Sequence, residues 1–264
     1  MLYTGKAAPK IIVTDLDGTL LDHHTYAWED AAEALNRALT LGIPIVPCTS
    51  KTFAETRPLA DAIGLSNCPI ICENGSGIQL GDDNRIDIAR PYQELIERLH
   101  TLRKNNAYQY TGFADMSVAE VADKTNLPIE KAALAYKRTY SEPLVWNDSK
   151  VALTEFIQAA NKQGIAIVRG GRFYHALHQG ISKYNAVKHL LAELYTPSAN
   201  WVALGDGDND IPLLANADFA VVINNPTKHF PVLDKPIGTC LYTSAFGPAG
   251  WNRAINYILE TFYG

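Results

Sequence analysis

The sequence predicts an α/β fold: a doubly wound, mostly parallel, Rossmann-like core with an inserted α+β domain. Three observations carry this. Short β-branched apolar runs end in acids, amphipathic helical segments separate those runs, and the alternation lapses in the middle of the chain before it returns.

Residues 10–15, KIIVTD, form a β-branched run ending in an acid, the form in which a buried parallel strand delivers a polar residue to its carboxyl end. A loop over 22–28 leads to a helix over 29–41, where Ala32, Leu35, Ala38, Leu39 and Leu41 fall near helical spacing and Gly42 follows as a C-cap. IPIVPCTS (43–50) reads as a strand ending in Thr49 and Ser50; a helix over 52–63 and a third strand-like run, NCPIICENG (67–75), complete a βαβαβ start.

Helical signals then dominate over 93–104, 117–125, 128–137 and 149–163, broken by PLVWN (143–147) and IAIVRG (165–170). From SKYNAVKHLLAEL (182–194) the alternation resumes, with the strand WVALGD (201–206), a helix near 211–217, the strand FAVVI (219–223) and a final helix over 250–262. The expected division is a core of residues 1–84 and 177–264 around an insert of residues 85–176.

The chain has 264 residues, a formal net charge of −5 and no block of consecutive Lys or Arg, which argues against a nucleic-acid partner and for a small one. No apolar stretch reaches the ~18 residues that would suggest a membrane span, and MLYTGKAAPK has no signal-like apolar core. Cys48, Cys68, Cys72 and Cys240 lack metal-ligand spacing and read as packing thiols, so a reducing, cytoplasmic setting is expected.

The chemistry concentrates at two strand ends. Asp15 and Asp17 in DLDGTL are separated by one residue with Gly18 freeing the turn, and GDGDND (205–210) brings Asp206 to the same sheet edge. Adjacent carboxylates repel one another, so such clusters bind a divalent cation or share acid/base work, and oxygen ligands from both strands suit Mg²⁺. Taken singly, DLDGT reads as an exposed turn and GDGDND as a polar loop or a calcium site. A buried strand before each one argues against the bland reading. The bidentate Glu of a calcium loop is also missing, because Leu213 and Leu214 already continue a helix.

DLDGT (15–19), Thr49 after a strand, Lys183 and GDGDND occur in the order of the four motifs of the haloacid dehalogenase superfamily, which the whole chain resembles. The resemblance implies attack by Asp15 on phosphorus to give an aspartyl-phosphate. Asp17 would protonate the leaving oxygen and then activate water, while Thr49 and Lys183 meet the phosphoryl charge. It also implies Mg²⁺ held by the Asp15 carboxylate, the Asp17 carbonyl and Asp206, with Asp210 and Asn209 as ligand or support. Alone, Lys183 would be a solvated helix-start lysine and Thr49 an ordinary strand-end hydroxyl.

The insert resembles the mixed α/β cap of the Cof-like branch. DLDGTLLDHHTYAWE, PCTSKTFAE, CENGSGI, RGGRFYHAL and GPAGW together resemble the mannosyl-3-phosphoglycerate phosphatase family. That resemblance implies hydrolysis of a mannosyl- or glucosyl-3-phosphoglycerate, a substrate carrying a carboxylate beside its phosphate. Arg169 and Arg172, flanking Gly170 and Gly171, and the following His175 are candidates for those anions, although a decorated β-turn is the plainer reading. Lys51 would reach the same anion, and Glu73 and Asn74 would bind sugar hydroxyls. His23, His24, Tyr26 and Trp28 either line the mouth or pack under the cap, and GPAGW reads as structural. The rival readings are a sucrose- or trehalose-phosphate phosphatase, a phosphomannomutase-like phosphotransferase, and a non-catalytic sugar-phosphate sensor.

Overall fold

The computed structural model describes residues 7–81, 84–194, 199–234 and 236–264. The first half of the core runs β1 (Ile11–Thr14), α1 (Ala32–Thr40), β2 (Ile45–Pro47), α2 (Phe53–Ala62), β3 (Ile70–Cys72), β4 (Gly77–Gln79) and β5 (Arg85–Asp87). There follow α3 (Tyr92–Asn106), β6 (Tyr110–Gly112), α4 (Val118–Thr125), α5 (Ile129–Ala135), β7 (Glu142–Trp146), α6 (Lys150–Lys162), β8 (Ile165–Arg169) and β9 (Tyr174–His178). The chain closes with α7 (Lys183–Leu194), β10 (Trp201–Gly205), α8 (Ile211–Asn216), β11 (Phe219–Asn224), β12 (Thr239–Phe246) and α9 (Gly247–Tyr263).

The central sheet is parallel throughout, in the order β12-β11-β10-β1-β2. Alternate residues serve opposite faces. Ile12, Ile45, Val202 and Val221 pack with α1 and α9 on one side, and Ile11, Val13, Val46 and Ala203 pack with α7 and α8 on the other. Burial on both faces explains why these strands read as unbroken apolar runs rather than alternating ones. Both termini of the sheet's two acidic strands, β1 and β10, lie side by side with Thr14 opposite Leu204, so Asp15 and Asp206 emerge at one carboxyl edge.

Two parts of the core depart from the sequence expectation. The run 67–75 joins the central sheet only through a bridge between Cys48 and Ile71; β3 then turns back into a three-stranded antiparallel sheet with β4 and β5. These strands are three residues each, too short for a period to emerge. The edge strand β12 also escaped notice, because its polar, half-exposed residues lack an apolar run.

The middle of the chain forms a separate four-stranded antiparallel sheet, β6-β7-β9-β8, backed by α3 and α6 around Leu99, Phe156 and Ile165. Its strands run from 110 to 178, whereas β5, at the start of the expected insert, pairs with β4 of the core. All four cysteines are free thiols, three of them buried. Among the described residues no helix is long and apolar enough to cross a membrane.

Candidate active site

At the carboxyl edge of the central sheet, Asp15, Asp206 and Asp210 are buried, with one carboxylate oxygen of each within 4.8 Å of the others. The backbone makes this possible at Gly18, which sits at φ +80 and where a Cβ would lie 2.9 Å from Asp206 Oδ2. Asp210, in the turn before α8, folds back so that its Oδ2 accepts the N–H groups of Asp206 and Gly207 at 3.1 and 3.0 Å.

Lys183, the first residue of α7, is fully buried between two of the acids. Its Nζ lies 2.7 Å from Asp15 Oδ1 and 2.6 Å from Asp210 Oδ1. Burial alone would depress the ammonium, but the two carboxylates override it and hold Lys183 above the ordinary lysine range. For Asp210, burial pushes the carboxyl up to about 7; Lys183 pulls it back and repulsion from Asp15 and Asp206 adds to the rise. Burial and then the nearby Asp15 charge also raise Asp206, against the pull of Lys228.

Asp17 stands at the cavity wall, with its Oδ2 2.9 Å from Lys51 Nζ and its Oδ1 buried without a partner. Lys51 also lies 5.0 Å from the Tyr26 ring centroid. Thr49 is buried one step behind Ser50 and Lys51; its hydroxyl accepts the Lys51 N–H at 3.2 Å and its carbonyl accepts from Asn74 N at 2.9 Å. A cavity of about 420 Å³ opens over these groups, lined on the core side by Asp15, Asp17, Lys51 and Asp206 and on the other side by Arg138, Arg172 and His175 of the inserted module.

The residues expected to bind substrate are placed unequally. Arg172 and His175 line the cavity, but Arg169 does not; its guanidinium lies 6.0 Å from the Tyr174 ring centroid. Alternation along β8 and the turn after it separates the two arginines that the sequence suggested as a pair. His175 is neutral: burial, then the charges of Arg138 and Lys183, push its pKa down to about 3, and its Nδ1 has no partner. Glu73 cannot reach a sugar, because it is completely buried and its oxygens are occupied by the backbone of residues 139–141. Asn74 accepts from Asn209 Nδ2 at 3.3 Å, while its own amide nitrogen is buried without a partner. His23, His24 and Tyr26 line the cavity, and Trp28 packs against the core instead.

Three residues were missed in the sequence. Lys228 Nζ and Asn225 Nδ2 both reach Asp206 Oδ2, at 2.9 and 2.5 Å. They follow β11, so a polar loop after a third buried strand was the available signal. Arg138 had no such signal, since it lies in the middle of the insert and comes to the cavity only through tertiary packing.

Residues 12–230 match the model of the haloacid dehalogenase-like hydrolase family. In fold the chain is similar to the HAD-superfamily phosphatase BT1666 from Bacteroides thetaiotaomicron, with TM-score 0.71, 19% identity, and 98% of each chain covered. It is also similar to the subclass IIB sugar phosphatase BT4131, with TM-score 0.70, 18% identity, and 94% of this chain and 98% of that one covered. A third likeness is to protein 0175 of Thermoplasma acidophilum, with TM-score 0.69, 16% identity, and 96% and 99% covered. The match over residues 12–230 shows that this chain belongs to the haloacid dehalogenase-like hydrolase family.

Proposed function

We propose that this chain is a Mg²⁺-dependent phosphomonoesterase whose substrate is a glycosyl-3-phosphoglycerate, mannosyl or glucosyl. The observation that carries the phosphatase reading is the bridge of Lys183 from Asp15 to Asp210 beneath a cavity into which Asp17 also opens. A nucleophilic carboxylate, a second carboxyl two residues on and a buried cation are what in-line phosphoryl transfer needs.

A divalent cation fits the charge balance of the site. With Asp17 carrying the proton it delivers in the first step, three carboxylates, Asp15, Asp206 and Asp210, are balanced by three ammoniums, those of Lys51, Lys183 and Lys228. An arriving phosphate dianion then leaves two negative charges unmatched, which one divalent cation offsets. Asp15, Asp206 and the Asp17 carbonyl would hold the ion. Asp210 has both oxygens engaged, by Lys183 and by two backbone N–H groups, and serves better as the support of Lys183 and of the loop. When bound, Mg²⁺ neutralises phosphoryl oxygens and orients the ester.

In the first step an Asp15 oxygen bonds to phosphorus as the ester P–O bond breaks, and Asp17 gives its proton to the departing alkoxide. Asp17 then takes a proton from water, whose oxygen attacks phosphorus, breaking the aspartyl–phosphate bond and returning Asp15. Lys183 keeps Asp15 in place through both steps, and Lys51 keeps Asp17 at the cavity wall.

The inserted module, its strands spanning 110–178, acts as the cap in this reading and supplies the recognition of the second anion. Arg172 and the Gly170–Gly171 turn line the cavity wall, and the neutral His175 offers hydrogen bonds rather than charge. The test is phosphate release with Mg²⁺ from mannosyl- and glucosyl-3-phosphoglycerate, sucrose-6-phosphate, trehalose-6-phosphate and mannose-6-phosphate, with Asp15→Asn as control. Preference for the glycosyl-phosphoglycerates and an inactive control are expected. Equal or better rates on a simple sugar phosphate would overturn the substrate, and an active Asp15→Asn would overturn the covalent mechanism.

A further inference from the structure

The inserted module meets the core at a third place besides its two linkers. The chain enters the module after β5 and leaves it after β9, yet residues 138–141, between α5 and β7, are also sunk into the core. Glu73 Oε1 accepts the N–H of Thr139 at 2.9 Å, and Glu73 Oε2 accepts those of Tyr140 and Ser141 at 3.1 and 2.8 Å together with the Ser141 hydroxyl at 2.9 Å. Arg138 closes the contact. It lies 3.3 Å from Glu73, donates to Ser141, and sends both terminal nitrogens to the Ser50 carbonyl at 3.2 Å.

The side chain of Tyr140 belongs to the hydrophobic cluster of the core, edge-on to Phe53 with ring centroids 6.3 Å apart, and its hydroxyl bonds Asp87. Thr52 adds a hydrogen bond from its hydroxyl to the Leu134 carbonyl at 3.0 Å. Glu73 is presented by a backbone turn in which Glu73, Asn74 and Gly75 have φ of 49, 59 and 94. Only glycine fits the third position, where a Cβ would lie 2.2 Å from Ser182 O, one residue before Lys183. Left-handed conformations at two non-glycine residues cost about 1–3 kcal/mol each and persist only where the surroundings fix them. The surroundings here are the Lys51 and Thr49 carbonyls, which accept from Glu73 N and Asn74 N, both at 2.9 Å.

We infer that Glu73 and Arg138 form a standing clamp that holds the inserted module to the core and acts as a positioning device for Lys51 and, through it, Asp17. The same turn that grips residues 139–141 with its side chain grips Thr49 and Lys51 with its backbone, while Arg138 grips Ser50 between them. A module fixed by two linkers can swing freely; one with a third attachment this deeply buried cannot do so without tearing four hydrogen bonds and an ion pair from a buried carboxylate. Arg138 lines the cavity, but the Ser50 carbonyl, Ser141 and the Glu73 carboxylate already engage its guanidinium, so its part is to set the wall rather than to bind the substrate anion. The catalytic consequence rests on the phosphatase reading; the attachment itself does not.

Hydrogen exchange resolved by residue separates the two. In the unaltered protein the amides of Thr139, Tyr140 and Ser141 should exchange as slowly as those of β1. Exchange at the rate of the exposed Gly171 amide would overturn the clamp, and this arm needs no variant. Glu73→Gln keeps the shape but turns an NH₂ group toward at least one of the three N–H donors. It should speed exchange of those three amides by ~100-fold and lower kcat for phosphate release by ~10-fold, with KM within ~3-fold. An unchanged kcat, or a loss confined to KM, would overturn the positioning role. If the unaltered protein releases no phosphate, the proposed function fails and the exchange result still decides the attachment.

Discussion

Trp251 Nε1 donates a hydrogen bond to Thr14 Oγ1 at 3.1 Å, and the same hydroxyl donates to the Asp15 carbonyl at 2.7 Å. The C-terminal helix α9 thereby supports the end of β1 from beneath the nucleophile. Trp251 is completely buried among the side chains that pack the sheet against α1 and α9.

Trp251→Phe removes the donor and leaves a void in that layer. A loss of about 2–4 kcal/mol is expected, read by denaturant unfolding at matched m-value. A loss below ~1 kcal/mol would mean that the indole contributes little beyond what a phenyl ring supplies.

Much of this site could be read from the sequence because its parts sit at the ends of strands. Asp15 and Asp206 each follow a strand whose apolar pattern is unambiguous, so the sheet edge could be foreseen before its geometry was known, whereas Lys183 was legible only from its place in the order of the motifs. Glu73 and Arg138 could not. A glutamate in an ENG turn looks like a surface group, and only the fold brings residues 139–141 onto it. Arg169 and Arg172 failed differently: adjacency in the sequence suggested one function, while the turn between β8 and β9 sends only Arg172 to the cavity.

The cluster of Asp15, Asp206 and Asp210 predicts stabilisation by the metal that is independent of turnover. At a Mg²⁺ concentration about 100 times its dissociation constant, unfolding should cost about 2.7 kcal/mol more than in chelator, seen as a rise in Tm. Asp206→Asn should abolish the rise, because it removes an anionic ligand while keeping the volume. An equal rise in that variant would place the ion elsewhere.

Arg172 and Arg169 offer a paired comparison within one turn. Arg172→Ala should reduce kcat/KM for a glycosyl-3-phosphoglycerate by ~10-fold or more and for mannose-6-phosphate by less than ~3-fold. Arg169→Ala should change neither, since that side chain lies over Tyr174 outside the cavity. Equal losses on both substrates from Arg172→Ala would assign it to structure.

Burial of Glu142 and of His175 in the inserted module gives pH dependences of opposite sign. Burial pushes Glu142 up to about 7, although Tyr92 and the Ala114 N–H bond its carboxyl, while burial pushes His175 down to about 3. For Glu142 the folded pKa exceeds the unfolded value near 4.5, so its contribution is fully present below 4.5 and is lost as pH rises through 7. For His175 the folded pKa lies below the unfolded 6.5, so its contribution is present above 6.5 and is lost as pH falls toward 3. Between 4.5 and 6.5 the two slopes, each about 1.4 kcal/mol per pH unit, have opposite signs and offset. Relative to the unaltered protein, Glu142→Gln should become more stable with rising pH across that window, and His175→Asn less stable. Thermal unfolding from pH 4.5 to 7 measures both differences, with other titrating groups common to each pair. Parallel pH profiles for all three proteins would show that neither group is held in its neutral form by the fold.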